Sequence, residues 1–561
     1  MMKSELLNSL KGYTLKSLAS DLAAGVTIGA IVFPLALALG IASGVAPERG
    51  IVTAIVAGLV IACLGGSRVQ IGGPTGAFLV IAYGIIQKHG YSALVTATVM
   101  AGILILLAGV FKFGGIIKFI PYPVIAGFTV GIAVYIVTAA IGDLCGFVVS
   151  KMPGDCIGNI AVYASSPVTF DPWALGTGIA TLSIIVALRK ISRRLPGSLV
   201  AIVAVTTAVW LLKFPVDTIG SRYGSITTAF TSPVFPSFSF SLVRELFLPA
   251  LAIAFVASIE SLMSAVVAAG VIGRRHNSNM ELFALGIANV ASALFGGIPA
   301  AGSIARTASN VECGGRTPIA ALAHTLTILL LMLCLGRFVT HIPMAAIAAI
   351  LVSVAWNMAG FSALKTIVIR KKSDAVILVV TFALTVFIDL TLAIAISLLF
   401  FAAFCIRKMI DVSAIKEIKY EMSLSDGSKA GDAADSNGLY LREIPKRVLV
   451  YEIEGPLVFG TIEMFMRTFL SASSGCDVLI LRMRRTIYLD AGALRILEGL
   501  VSDCRMKGIA LFVSDIHTQP FMLAVNSGLD EKIGKDRIFG NLDEALAASA
   551  GLVGVTHEGK Q

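Results

Sequence analysis

Charge is what this chain has least of. Lys, Arg, Asp and Glu together make 14% of its 561 residues, against roughly 25% in soluble domains. That shortage excludes an ordinary soluble protein, and the 57% apolar content excludes disorder, which requires low hydrophobicity. Metal-binding patterns are missing as well. The eight cysteines contain no CxxC pair and the six histidines are dispersed, so neither a structural metal nor another cofactor is expected. Cys145 and Cys156 flank one polar loop and are expected to pair only if that loop faces an oxidising compartment. Nucleophile-elbow and phosphate-loop patterns are absent, which leaves no enzyme signature. The N-terminus shows no cleavable signal, because its first apolar run is long and has no cleavage site.

What the chain has instead is long apolar runs, with a mean hydropathy of +0.89. A full span needs about 20 apolar residues. Runs of this kind fall near 21–43, 50–64, 92–111, 122–141, 174–188, 197–213, 246–270, 281–296, 318–336, 343–359, 373–390 and 391–406. Two further segments, 75–88 and 302–313, are short or broken by Gly and Pro. Counting them gives about fourteen transmembrane elements. The dense cation clusters (Lys3, Lys11 and Lys16; Lys112 and Lys118; Arg189, Lys190, Arg193 and Arg194; Arg274 and Arg275; Lys365, Arg370, Lys371 and Lys372; Arg407 and Lys408) then all fall on one side. The positive-inside rule puts that side, and both termini, in the cytoplasm. It also assigns the net charge of +10 to the bilayer surface rather than to nucleic acid.

Composition changes at Asp411, where charges become frequent. The expected organisation is a cytoplasmic segment 1–20, a transport domain 21–410 with repeats at about 21–213 and 246–410, a linker 411–446, an α/β domain 447–551 and a tail 552–561. The linker contains 423-SLSDGSKAGDAADSNG-438. Strand-like runs at 448–455, 477–483 and 509–514 alternate with helix-like segments at Glu463–Leu470 and Gly492–Arg505, the pattern of a small packed sheet.

The two broken segments resemble each other. In 71-IGGPTGA-77 and 296-GGIPAAGS-303, Gly and Pro precede a short apolar helix, each as the third element of a seven-element half. Halves of odd element number have opposite orientations, and matching interrupted helices in such halves point to a transporter's binding site. Helices starting near Gly73 and Pro74 and near Pro299 would leave backbone N–H groups unpaired at mid-membrane. Two facing helix N-termini offer about one positive charge to an anion. Thr75 and Ser303 can donate hydroxyls there, and Arg306 lies one turn beyond Ser303. An arginine inside a membrane is costly, which favours a role in the anion field.

Glu260 sits mid-span in 251-LAIAFVASIESLMSAVVAAG-270, whereas Asp21 and Asp389 lie near span ends where water is expected. Ser264 shares its face, one turn later. Three roles are open to Glu260: carrying a coupling proton, holding sodium together with Ser264, or pairing with Arg306. A carboxylate beside an anion site repels the anion until a proton or cation neutralises it, which is a physical basis for symport.

With these residues in place, 33-FPLALALGIASGVAP-47, 71-IGGPTGAFLV-80, 258-SIESLMSA-265, 296-GGIPAAGSIARTASNVECGGRTP-318 and 489-LDAGALRILEGL-500 resemble the SulP (sulfate permease) family of anion transporters, whose tail is a STAS domain. The resemblance implies a polytopic α-helical fold in a seven-plus-seven inverted repeat with a UraA-like gate and core, a homodimer, and an elevator-like movement. It implies a substrate pocket at Leu35, Leu39, Thr75, Ala301, Gly302, Ser303 and Arg306. Prestin-like relatives carry glutamine where Leu35 stands and serine where Ala305 stands, so the pocket here is more apolar. Glu260 resembles the aspartate of sodium-dependent cyanobacterial bicarbonate transporters, with Ser264 in place of their threonine. A glutamate is instead similar to the proton-coupled bacterial members. Gly492 stands where soluble anti-sigma-factor antagonists carry a phosphorylated serine, which excludes phosphorylation at that position.

The expected function is secondary active transport of a small inorganic or organic anion (sulfate, bicarbonate or a C4-dicarboxylate) coupled to protons or sodium, across a bacterial-type inner membrane. The alternatives are an uncoupled exchanger or channel, a nucleobase permease of the same fold, and a membrane-anchored regulator.

Overall fold

The computed structural model describes residues 4–9, 13–115, 122–147, 153–165, 170–192, 195–224, 233, 236, 239–273, 276–360, 372–387, 414–418, 444–445, 447–455, 476–489 and 491–558. The expected span 391–406, the helix Glu463–Leu470, the stretch 423–438 and Asp389 lie outside them. The chain divides into two compact units, Met1–Phe401 and Ala402–Gln561.

The first unit runs through α1 (Leu15–Ala42), α2 (Pro47–Leu64), β1 (Gly72–Pro74), α3 (Leu79–Val110), α4 (Tyr122–Cys145), α5 (Cys156–Ser165), α6 (Pro172–Ile191) and α7 (Gly197–Leu212). A second series follows: α8 (Phe240–Ile272), α9 (Ser278–Leu294), β2 (Ala300–Gly302), α10 (Ile304–Glu312), α11 (Pro318–Val339), α12 (Met344–Ala359) and α13 (Lys372–Phe387). Seven described helices are long and apolar enough to cross a membrane alone. Others, such as α7 and α12 with 16 residues each, reach only about 24 Å. The expected segments 75–88 and 92–111 meet in α3, where Gly90 (φ 79, ψ 178) breaks the helical path. α5 was not expected, because its polar flanks and ten residues give no span signal. No disulfide joins Cys145 and Cys156.

Packing expresses the repeat. The first helix of each series crosses to the other: α1 packs on α11 and α8 packs on α3. The second helices do the same, α2 on α11 and α9 on α3, while α4 packs on α12. Small residues permit the close approaches. A Cβ on Gly286 would stand 2.5 Å from the Leu106 amide nitrogen, and one on Gly50 would stand 1.9 Å from the Ala36 carbonyl oxygen.

The second unit is a five-stranded sheet in the order β3 (Ala414–Ile418), β4 (Val448–Glu454), β5 (Val478–Arg485), β6 (Ala510–Ser514) and β7 (Ile538–Phe539). β3 pairs antiparallel and the other neighbours are parallel. Alternation along the strands separates two apolar faces. Tyr451, Leu479 and Leu481 face Leu497 and Leu500 of α14 (Ala491–Met506), whereas Val450, Ile480 and Phe512 face Leu542 and Leu546 of α15 (Leu542–Glu558). β3 corrects the reading of 411–446 as all linker. A five-residue stretch with two charges gives no strand signal, and its ladder with β4 decides its conformation.

Candidate functional site

β1 and β2 meet as an antiparallel pair, Gly72 opposite Gly302, Gly73 opposite Ala301 and Pro74 opposite Ala300. The interrupted segments therefore cross rather than run past each other. Side chains from neighbouring helices fix the crossing. Asn289 of α9 exchanges two hydrogen bonds with the Ala300 backbone, at 3.0 and 2.9 Å. Ser261 of α8 accepts from the Gly302 amide at 2.7 Å, and Thr53 of α2 accepts from the Ile298 amide at 2.7 Å. The Ser303 amide donates to the Ile71 carbonyl at 3.1 Å.

Helical structure begins only after the crossing. A single 3-10 turn, Gly76–Phe78, leads into α3, and α10 starts at Ile304. This corrects the expected helix starts at Gly73, Pro74 and Pro299. Gly73 and Pro74 lie in β1 and Pro299 immediately precedes β2, because a proline lacks the N–H that a helix interior needs and the strand pair takes up the local backbone groups. The first intrahelical acceptors are used by Leu79, which donates to Gly76, and by Thr307, which donates to Ser303. The amides of Gly76, Ala77, Ile304 and Ala305 precede them, as helix N-terminal donors do.

These termini open on a cavity of about 720 Å³. Its walls bring together Leu35, Leu39, Pro74, Thr75, Glu260, Ser303 and Arg306. Ala301, Gly302, Gly73 and Pro299 do not reach it; they form or lead into the buried strand pair behind it. Ser264 also stays off the wall, since its hydroxyl donates to Thr307 Oγ1 at 3.0 Å, and Thr307 Oγ1 accepts from the Ile71 amide. Ser264 thus braces the crossing.

Arg306 is 6% exposed. Its Nη2 donates to the Pro74 carbonyl at 2.8 Å, tying α10 to the other repeat, while Nη1 has no hydrogen-bond partner among the described residues. Gly73 makes this contact fit: its φ of 145° disfavours a side chain, and a Cβ there would stand 2.9 Å from Arg306 Nη1. Glu260 accepts from Thr75 Oγ1 at 2.8 Å, so its carboxylate is held at the N-terminus of the first half-helix rather than by Arg306.

Two acids reverse the expected order of burial. Asp21 is 0% exposed. It accepts from the Arg316 amide at 2.7 Å, from Tyr13 Oη at 2.8 Å and from the Thr317 hydroxyl. It thereby caps α11 instead of facing water. Glu281, also 0% exposed, accepts from the Gly66 and Ser67 amides at 2.8 and 3.0 Å. Glu260 is the half-buried one of the three, because the cavity reaches it. The sequence reading also missed the share of the wall to which α4, α6 and α12 contribute Phe128, Ile132, Arg189, Asn357 and Met358. No broken segment marks these helices. Asn357 and Arg189, near the ends of apolar runs, were the polar cues.

Crossed, interrupted elements of two opposed repeats around a cavity lined by Thr75, Glu260, Ser303 and Arg306 are the architecture of a membrane transporter. The chain belongs to the sulfate permease family. The Sulfate permease family profile matches residues 18–381, and a STAS domain follows at 441–545. The chain is 38% identical over 537 residues to the "Putative sulfate transporter YvdB" of Bacillus subtilis, covering 95% of this chain and 98% of that one. It is 27% identical over 541 residues to the bicarbonate transporter BicA of Picosynechococcus sp., covering 95% and 94%. Among solved structures, the transmembrane domain of a cyanobacterium bicarbonate transporter BicA superposes with a TM-score of 0.61 at 29% identity, covering 68% of this chain and 98% of that one. Murine Slc26a9 in the inward-facing state superposes with a TM-score of 0.83 over 98% of this chain and 94% of that one, at 18% identity, a likeness of fold alone. The fold is thus the UraA-like helical membrane fold with a C-terminal STAS domain.

Proposed function

We propose that the protein is a secondary active transporter of a small oxyanion or carboxylate, of the sulfate, bicarbonate or C4-dicarboxylate class, with Glu260 as the coupling group. The observation that carries this is convergence: two half-helix N-termini, Arg306 and Glu260 line one cavity. The anion sits at the amides of Gly76, Ala77, Ile304 and Ala305 with the Ser303 hydroxyl, where preoriented donors favour negative charge. The relatives named for sulfate and for bicarbonate support an inorganic oxyanion. The apolar Leu35 and Leu39 wall offers no partners for a base edge and speaks against a nucleobase.

Glu260 shares the cavity with the anion and so couples the two. While ionised it raises the cost of anion entry, and neutralisation by a proton or a cation removes that cost. The Ser264 hydroxyl is turned toward Thr307 and away from the cavity, which supports a proton over sodium. The cation clusters place the termini in the cytoplasm by the positive-inside rule. The family resemblance extends the proposal to an elevator-like movement in a homodimer in the inner membrane.

Proteoliposome uptake of labelled sulfate, bicarbonate and succinate, under separately imposed proton and sodium gradients, tests this reading. The expected outcome is uptake of at least one anion, accelerated by the proton gradient, with Glu260→Gln retaining anion binding but losing the gradient dependence. Gradient-driven uptake that survives Glu260→Gln removes the coupling assignment, and no uptake of any of the three removes the transport reading.

A further inference from the structure

A second cation lines the same cavity. Arg189 lies in the last turn of α6, and its Nη1 donates to Asn357 Oδ1, in the last turn of α12, at 2.5 Å. Both side chains are exposed and both belong to the cavity wall. One of the five N–H donors of a guanidinium is therefore used for orientation, and the others suit the forked geometry of an oxyanion or carboxylate. The neighbouring Lys190 is also exposed but is not part of the wall. Glu312, also on the cavity wall, ends α10 six residues beyond Arg306, or about 9 Å along the helix axis. The cavity wall thus carries two guanidinium groups, Arg189 and Arg306, and two carboxylates, Glu260 and Glu312.

We propose that Arg189, oriented by Asn357, is an outer docking site for the transported anion at the exposed rim of the cavity, separate from the half-helix site. Arg189 concentrates small oxyanions at the entrance, and Asn357 acts as a positioning residue. This rests on the transport reading above. A purely structural role, completing the C-terminus of α6 against its dipole, predicts no dependence on which face of the membrane the anion approaches from.

That difference supplies the test. Initial rates of labelled sulfate, bicarbonate or succinate transport, whichever the wild type carries, are measured in right-side-out and inside-out vesicles at several ionic strengths. Arg189→Gln is expected to raise KM about fivefold in one vesicle orientation only, with Vmax retained and a flatter ionic-strength dependence of Vmax/KM. Lys190→Gln, which removes the same charge from the same turn, is expected to match the wild type in both orientations. Asn357→Ala leaves the charge in place and is expected to raise KM less, in the same orientation, so it reports on the site even if Arg189→Gln folds poorly. Equal effects of Arg189→Gln and Lys190→Gln, or an Arg189→Gln effect of the same size in both orientations, overturn the docking site while leaving transport intact. A wild type that carries none of the three takes both readings down together.

Discussion

Individual residues at the crossing are chosen for what they leave out. Gln70 is buried, and both polar atoms of its amide lack partners among the described residues. It fits only because Gly302 has no side chain, since a Cβ there would stand 1.7 Å from Gln70 Nε2 and 2.6 Å from its Cδ. Gly302→Ala is therefore expected to destabilise the protein by about 1–3 kcal/mol through overpacking. Gly302→Ala combined with Gln70→Ala is expected to recover most of that loss. Thermal unfolding of the purified variants in detergent reads both, and a double variant no more stable than Gly302→Ala shows that the clash is not the cause. From the sequence, Gly302 looked like a ligand residue. Its spacing from Ser303 was legible, but its task of admitting Gln70 was not, because Gln70 and Gly302 are 232 positions apart.

Among the elements, the half-helices were readable and their beginnings were not. The Gly and Pro motifs mark where a helix stops being favourable, and the recurrence of those motifs showed that two such places correspond. Whether the interrupted stretch is a loop, a bend or a strand depends on the partner, here the other repeat. The same holds for caps. Thr317 and Pro318 are readable as a helix start, but Asp21 supplies the remaining acceptors from α1. Asp21→Ala strands the Arg316 and Thr317 amides and the Thr317 hydroxyl. It is expected to cost about 1–3 kcal/mol, with a lower unfolding temperature and reduced yield, whereas Asp21→Asn retains an acceptor and costs less. Indistinguishable unfolding of the Ala and Asn variants would count against the cap.

At the scale of the whole molecule, two units of different chemistry share one chain. In the second unit, Cys504 packs into the sheet–helix core, and burial pushes its thiol from about 9 up to about 12, with Cys476 and Asp503 adding to the shift. Between those values the folded state keeps a proton that the unfolded state releases. This contribution to stability is complete below pH 9 and falls as the pH rises toward 12. In the full chain, alkylation of Cys504 by iodoacetamide, followed by mass spectrometry, is expected to stay slow from pH 8 to 10 and to become fast only once the domain is unfolded by denaturant. Rapid labelling in the native protein at pH 8 would contradict the burial.

The sequence by itself determined the solvent and the repeat. Apolar runs of membrane length cannot be solvated by water, and a Gly and Pro motif recurring 225 residues later needs no coordinates to be seen. It also named Glu260, Thr75, Ser303 and Arg306, because polar groups in apolar surroundings persist only with a function or a partner. The tertiary structure alone decided which of these reach the cavity, that Ser264 turns away from it, and that Asp21 is sealed while Glu260 is not. Those outcomes depend on contacts between residues of different helices, from 43 to 295 positions apart, and the spacing of residues along one helix carries no information about what the facing helix brings to meet them.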